Sequence, residues 1–198
     1  MIVLHGVNGT GKTTQCKKLV ERIEGMGESA RFIKYPVYDN APTGLLLNEY
    51  LRGANPKNLT PQEMSLLQVI NRRDQHEELK EILERGIHVI AESYTGTGVV
   101  WAIAFGMNRD LLRALNSGER VVTPDAEILL DGERFVTGKE TGHLHEENDT
   151  LIERVKAIYS DVAREERWGT VSPRGTIVEV HERIWLVVKP FFAPAGAA

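Results

Sequence analysis

Gly6-Val7-Asn8-Gly9-Thr10-Gly11-Lys12-Thr13 is the stretch that decides the fold of this chain. It follows the pattern G-x-x-x-x-G-K-[ST] and stands between a short apolar run, Ile2 to His5, and a segment of helical spacing, Thr13 to Glu24. There Leu19, Val20 and Ile23 recur before Gly25 and Gly27 stop the helix. In that strand, loop, helix context, backbone N–H groups converge on phosphate oxygens and the helix N-terminus adds positive potential. The lysine reaches the β- and γ-phosphates and the hydroxyl meets Mg²⁺. Gly6, Asn8, Gly9, Thr10, Gly11, Lys12, Thr13 and Thr14 are therefore the expected nucleotide-binding residues, with Thr13 on the metal.

Outward from the loop, apolar runs alternate with helical patterns. Ala30 to Tyr35, Ile87 to Ala91, Ala126 to Leu130 and Thr176 to Val180 read as further strands. Helices are expected over Gly44 to Arg52, from Pro61 to Gly86, over Leu151 to Arg167, and in a last segment carrying Ile184, Trp185 and Val188. Thr60 caps the second of these, Pro61 takes its first position and Glu63 closes a capping box. Five strands alternating with helices give a parallel sheet covered on both faces, the α/β class. Glu92 and Asp131 each directly follow a buried-strand candidate, so each fits as the second anchor of a magnesium site. Asn71 and Gln75 interrupt the apolar stripe of Met64, Leu67, Leu79, Ile82 and Leu83. With Gln68 and Arg72 beside them, that helix can present amides and a guanidinium to a planar polar ligand.

The chain has 198 residues, 41% of them hydrophobic, enough for one sizeable core. Twenty-four Lys and Arg against 28 Asp and Glu give a net charge of −4, which argues against binding a nucleic-acid polymer or an acidic membrane by bulk charge. Any anion must be gripped locally. Cys16 is the only cysteine, so a disulfide framework and a cysteine zinc site are excluded, and it reads as a small packed side chain. The longest apolar run, Val99 to Phe105, is far shorter than the roughly 20 residues of a membrane span. No export signal is visible at Met1-Ile2-Val3-Leu4, so the expected location is cytoplasmic.

Taken in order, these segments resemble the thymidylate kinase family of nucleoside monophosphate kinases over nearly the whole chain. Gly6 to Thr14 followed by Gln15 is similar to its phosphate loop, and Lys34-Tyr35-Pro36 to its R-F-P segment. Asn71-Arg72 resembles the pair whose arginine meets the base, and Glu92-Ser93-Tyr94 with Thr97-Gly98 stands where the family has D-R-Y and S-G. Thr123-Pro124-Asp125 precedes the Ile128 strand as in the family, and Gly132 to Asn148 occupies its lid.

The resemblance implies a three-layer α/β/α P-loop kinase fold with a five-stranded parallel sheet and a short mobile lid. It implies the lid at about 132–148 within one domain over residues 1–192, and the small residues from Pro194 to Ala198 read as part of a flexible tail at 193–198. The implied activity is ATP- and Mg²⁺-dependent transfer of the γ-phosphoryl group to a nucleoside monophosphate, dTMP to dTDP, by a homodimer. Lys12, Glu92, Arg134 and Lys139 are the implied catalytic residues, with Thr13 and Glu92 on the metal. Asn8, Tyr35, Pro36, Tyr38, Gln68, Arg72, Ser93, Tyr94, Thr97, Gly98 and Trp101 are the implied acceptor residues. Four of these depart from the family: Asn8 replaces an acid, Tyr38 and Ser93 replace arginines, and Gln68 replaces an aromatic. Arg31, Lys34 and Arg73 are the nearby cations available instead. The missing arginines leave open a deoxyribonucleoside kinase, with Glu92 as base, and a nucleotide-binding module without turnover.

Overall fold

The structure is a computed structural model and describes residues 1–53, 55–135 and 149–192. Its strands are β1 (Ile2–His5), β2 (Ala30–Lys34), β3 (His88–Glu92), β4 (Ala126–Leu130) and β5 (Gly169–Val171). They form one parallel sheet in the order β2-β3-β1-β4-β5, with Val3 opposite Ala91 on one side and Glu127 on the other. β1 is central, and the chain builds outward from it in both directions, so the carboxyl ends of β1, β3 and β4 border one crevice.

The helices are α1 (Lys12–Gly25), α2 (Thr43–Arg52), α3 (Pro61–Asp74), α4 (His76–Glu84), α5 (Thr95–Ala104), α6 (Arg109–Leu115), α7 (Asp149–Glu165) and α8 (Ile177–Val188). Alternation along the strands sorts the layers. Ile2, Leu4, Ile90, Ile128 and Leu130 pack against Cys16, Leu19 and Ile23 of α1 and Ile184 and Val188 of α8. Val3, Val89 and Ala91 point the other way, to Leu79 and Ile82 of α4, while Leu129 meets Val155 and Tyr159 of α7. The result is the expected three-layer α/β/α arrangement.

Two expectations are corrected. Thr176 to Val180 is not a strand: Thr176 accepts from the Glu179 N–H, Glu179 accepts from the Thr176 N–H, and this capping box starts α8. The fifth strand is the three-residue β5, where Gly169 lets Val187 approach so closely that a Cβ would lie 2.9 Å from it. The helix expected from Pro61 to Gly86 is two helices, parted at Gln75. Met64 packs with Leu47, Tyr50 and Leu51 of α2, whereas Leu79 and Ile82 pack on the sheet, and one straight helix cannot serve both clusters. The Thr60–Glu63 capping box stands as expected.

Candidate functional site

The phosphate loop leaves β1 at Gly6, whose φ of +136° and close approach to Leu130 leave room for no side chain; a Cβ there would lie 2.8 Å from the Leu130 carbonyl oxygen. Gly11, at φ +86°, starts α1 with no side-chain cap, so the first-turn N–H groups face the loop opening. The Lys12 ammonium, buried beneath the loop, donates to the Val7 carbonyl at 2.9 Å and lies 3.5 Å from Asn8 Oδ1. Thr10 also donates to the Val7 carbonyl, at 2.9 Å. Thr14 is exposed at the rim.

Parallel pairing of β1 with β3 brings Glu92 to this loop. Thr13 Oγ1 donates to Glu92 Oε2 at 2.6 Å, and Lys34 Nζ lies 3.2 Å from Glu92 Oε1. Asp131 is exposed after β4, and the carboxylate at hydrogen-bond distance from Thr13 is that of Glu92. Arg134 Nε donates to the Asn8 carbonyl at 3.0 Å and the Phe135 N–H to that of Gly9 at 2.8 Å, so residues 134 and 135 rest on the loop. Lys139, the lid segment 136–148 and the tail 193–198 lie outside the described residues. Cys16 is buried against the Ala91 carbonyl, and burial pushes its thiol pKa up, which fits a packing role.

A cleft opens beside the loop, lined by Asn8, Lys34, Tyr35, Pro36, Tyr38, Leu51, Arg52, Met64, Gln68, Glu92, Ser93, Thr97 and Trp101. Ser93 sits at φ +64°, an uncommon conformation for serine that turns the chain from β3 into α5. Three expected acceptor residues, Arg72, Tyr94 and Gly98, are buried beside these lining residues. Tyr94 is buried edge-on to Tyr35, ring centroids 5.0 Å apart, and its hydroxyl accepts from the Val122 N–H. Arg72 is buried beneath Gly98, where an added Cβ would meet its guanidinium at 2.8 Å, and donates to Asn116 Oδ1 at 2.6 Å. Burial pushes the Arg72 pKa down to about 10, so it stays charged at neutral pH. Asn71 is spent on the fold: it accepts from the Val37 N–H and donates to the Val37 carbonyl and to Thr43, clamping the segment that carries Tyr38.

Arg31 pairs with Glu78 and Arg73 donates to the Leu115 carbonyl, so neither lines the cleft. The residue missed by the sequence reading is Arg52. Its guanidinium lies 4.6 Å from the centre of the Tyr38 ring, and its Nη1 donates to Asn48. Tyr38 stands where an arginine was expected; here the ring steadies an arginine from α2. The signal was present, because burial of Leu47 and Leu51 puts Arg52 on the flank of α2. On the far side of the loop a second cavity, about 330 Å³, has Thr10, Gly11, Gln15, Phe135, Pro173 and Ile177 among its walls.

The sequence matches the family described as thymidylate kinase over residues 4–184. The chain belongs to the thymidylate kinase family. It is 29% identical to the thymidylate kinase of Danio rerio over 190 residues, 93% of this chain and 87% of that protein. It is 28% identical to the thymidylate kinase of Syntrophotalea carbinolica over 203 residues, 93% of each chain. A solved thymidylate kinase from Candida albicans superposes with a TM-score of 0.81 at 22% identity, over 96% of this chain and 91% of that one, and shares the fold. In this thymidylate kinase family member the donor loop keeps its full pattern, and the departures gather in the cleft.

Proposed function

We propose that the protein transfers the γ-phosphoryl group of ATP to dTMP, giving ADP and dTDP. The observation that carries this reading is a shared edge: Asn8 and Glu92 belong both to the phosphate loop's surroundings and to the wall of the neighbouring cleft. A triphosphate on the loop and a monophosphate in the cleft then meet in line. Such a transfer needs positioning and positive charge more than covalent chemistry.

Within this reading Lys12 exchanges the Val7 carbonyl for phosphate oxygens, and the glycine-rich backbone holds the donor's tail. A hydroxyl and a carboxylate oxygen 2.6 Å apart, from Thr13 and Glu92, are hard oxygen donors suited to Mg²⁺. Among the described residues no group of three or more His, Cys, Asp or Glu could hold a metal alone, which fits an ion shared with phosphate. When bound, Mg²⁺ supplies charge that neutralises the phosphate oxygens. Arg134, resting on Asn8, adds a guanidinium at the transfer point, and Lys139 is the second lid cation in the proposal.

Lys34 and Arg52 bring two cations to the cleft in place of the absent arginines, which favours a phosphorylated acceptor over a nucleoside. Among the described residues the Tyr35 hydroxyl, buried at the wall, has no hydrogen-bond partner, and with Gln68 and Trp101 it provides contacts for a pyrimidine. The cavity beside Gln15 and Phe135 suits the donor base.

The proposal includes one domain over 1–192 acting as a homodimer in the cytoplasm. Leu66 and Ile70, one turn apart on α3, are 40% and 47% exposed and supply an apolar strip for pairing. Among the described residues no helix is long and apolar enough to cross a membrane. The test is steady-state turnover with ATP and Mg²⁺ against thymidine and each common nucleoside monophosphate. The largest kcat/KM is expected for dTMP, and a larger value for thymidine would replace this reading with the nucleoside kinase.

A further inference from the structure

Below the acceptor cleft lies a chain of hydrogen bonds that phosphoryl transfer does not itself call for. His5 ends β1 fully buried, stacked on Trp168 with ring centroids 4.2 Å apart. Its Nε2 lies 2.9 Å from Glu127 Oε1 on β4, and its Nδ1 lies 3.0 Å from Thr97 Oγ1 on α5. Tyr159 of α7 donates its hydroxyl proton to the same Thr97 oxygen at 3.1 Å. The Gly6 N–H and the Trp101 indole both reach the Tyr159 oxygen; burial still dominates and pushes the phenol up to about 12, so it stays protonated. Thr97 itself lines the acceptor cleft.

The direction of each bond follows from the donor inventory. An ionised carboxylate only accepts, so Glu127 draws the imidazole proton to Nε2, and a neutral His5 then has an accepting Nδ1. Thr97 must donate its single proton to that nitrogen. One Thr97 lone pair is taken by Tyr159, which leaves a second to offer a ligand in the cleft that Thr97 lines. An Nδ1–H on His5 would reverse this, turning the Thr97 proton toward the cleft.

We infer that the Glu127–His5 pair is a positioning dyad that fixes Thr97 as a hydrogen-bond acceptor toward the bound nucleotide. The dyad thereby selects acceptors that present an N–H or O–H at that point and disfavours those that present a bare lone pair, because a buried unpaired oxygen is costly. This rests on the cleft being the acceptor site, as proposed above.

Two measurements test it on the full-length protein. Long-range ¹H–¹⁵N correlation spectra of the wild type at neutral pH should show His5 with a protonated Nε2 and an unprotonated Nδ1. A proton on Nδ1 would overturn the inference even if dTMP turns over normally, so the two proposals fail separately. In kinetics, Glu127→Leu should raise the acceptor KM about tenfold while kcat and the KM for ATP change less than about twofold. Glu127→Gln, whose amide oxygen can still accept from Nε2–H, should restore the acceptor KM. His5→Phe, which keeps the stacking on Trp168, should behave as Glu127→Leu. Equal loss in Glu127→Leu and Glu127→Gln, or a fall in kcat alone, would overturn the dyad; thermal melts of each variant separate either result from misfolding.

Discussion

Glu92→Gln separates catalysis from stability at one atom pair. The side chain is 4% exposed, accepts the Thr13 hydroxyl at 2.6 Å and faces Lys34 at 3.2 Å, so the amide keeps the shape and one acceptor but removes the charge. Lys34 is 37% exposed and can recover water, so the loss of its ion pair should cost less than about 1 kcal/mol of stability. In the proposed complex the same charge would act on Mg²⁺ in a drier site, where removing one electrostatic partner costs about 2.7–4 kcal/mol, or about 10²–10³ in kcat. A coupled ADP-release assay with Mg²⁺ titrated, beside a thermal melt, checks both numbers. Turnover should fall by that factor, part of it recovering at high Mg²⁺, with little change in melting, while Asp131→Asn leaves turnover near wild type. Glu92→Gln retaining a third or more of wild-type kcat, or Asp131→Asn falling as far, would refute the reasoning.

Three other outcomes follow from the packing around the cleft. Gly44→Ala places a Cβ 2.3 Å from the Val37 carbonyl oxygen and 2.4 Å from that of Tyr38, so the Tyr38 segment must move. Stability should drop by about 1–3 kcal/mol and the acceptor KM should rise with the ATP KM unchanged; an unaltered acceptor KM would contradict this. Asn71→Leu takes the acceptor from the Val37 N–H, while the Val37 carbonyl keeps the Asn40 N–H and the Thr43 hydroxyl keeps Asp74, an expected loss of about 1–3 kcal/mol read as a lower urea midpoint at constant m, and a loss below about 0.5 kcal/mol would show the clamp to be dispensable. Burial raises the pKa of Tyr35, Tyr50, Tyr94 and Tyr159, the last to about 12 from 10.0. The unfolded chain therefore loses those protons first, so stability held below the ordinary tyrosine range declines as pH rises through it, by about 1.4 kcal/mol per pH unit for Tyr159 until its folded value is passed. Phenolate absorbance in native protein should lag that of denatured protein; coincident titrations would contradict the burial.

The loop between β1 and α1 was legible because one local motif carries it: the spacing from Gly6 to Thr13 calls for a strand, a glycine turn and a helix start without knowledge of tertiary contacts. Central strands were legible for a related reason, since Ile87 to Ala91 and Ala126 to Leu130 are largely buried and read as apolar runs broken only by His88 and Glu127. The last strand failed because Ile177, Val178 and Val180 suit a strand or a helix equally until the Thr176–Glu179 cap decides, while β5 is too short to show a period. Helices α5 and α6 were not delimited, for the apolar run from Val99 hides where one helix ends near Phe105. In the acceptor cleft the contributors come from β2, α2, α3, β3 and α5, and no spacing rule joins Arg52 to Tyr38 or His5 to Thr97. Asn71 illustrates the limit from the other side: its polarity marked it for a ligand, yet the Val37 backbone and Thr43 claim it.

In the proposed reaction this loop and this cleft exchange one phosphoryl group. Time-resolved ³¹P NMR of the wild type with ATP, Mg²⁺ and dTMP, beside Lys12→Ala, measures it directly. ADP and dTDP should rise together in equal amounts in the wild type and be undetectable in the variant, whose fold remains intact by melting. Turnover of ATP without a dTDP signal, or undiminished dTDP from Lys12→Ala, would show that the loop and the cleft do not carry the transfer.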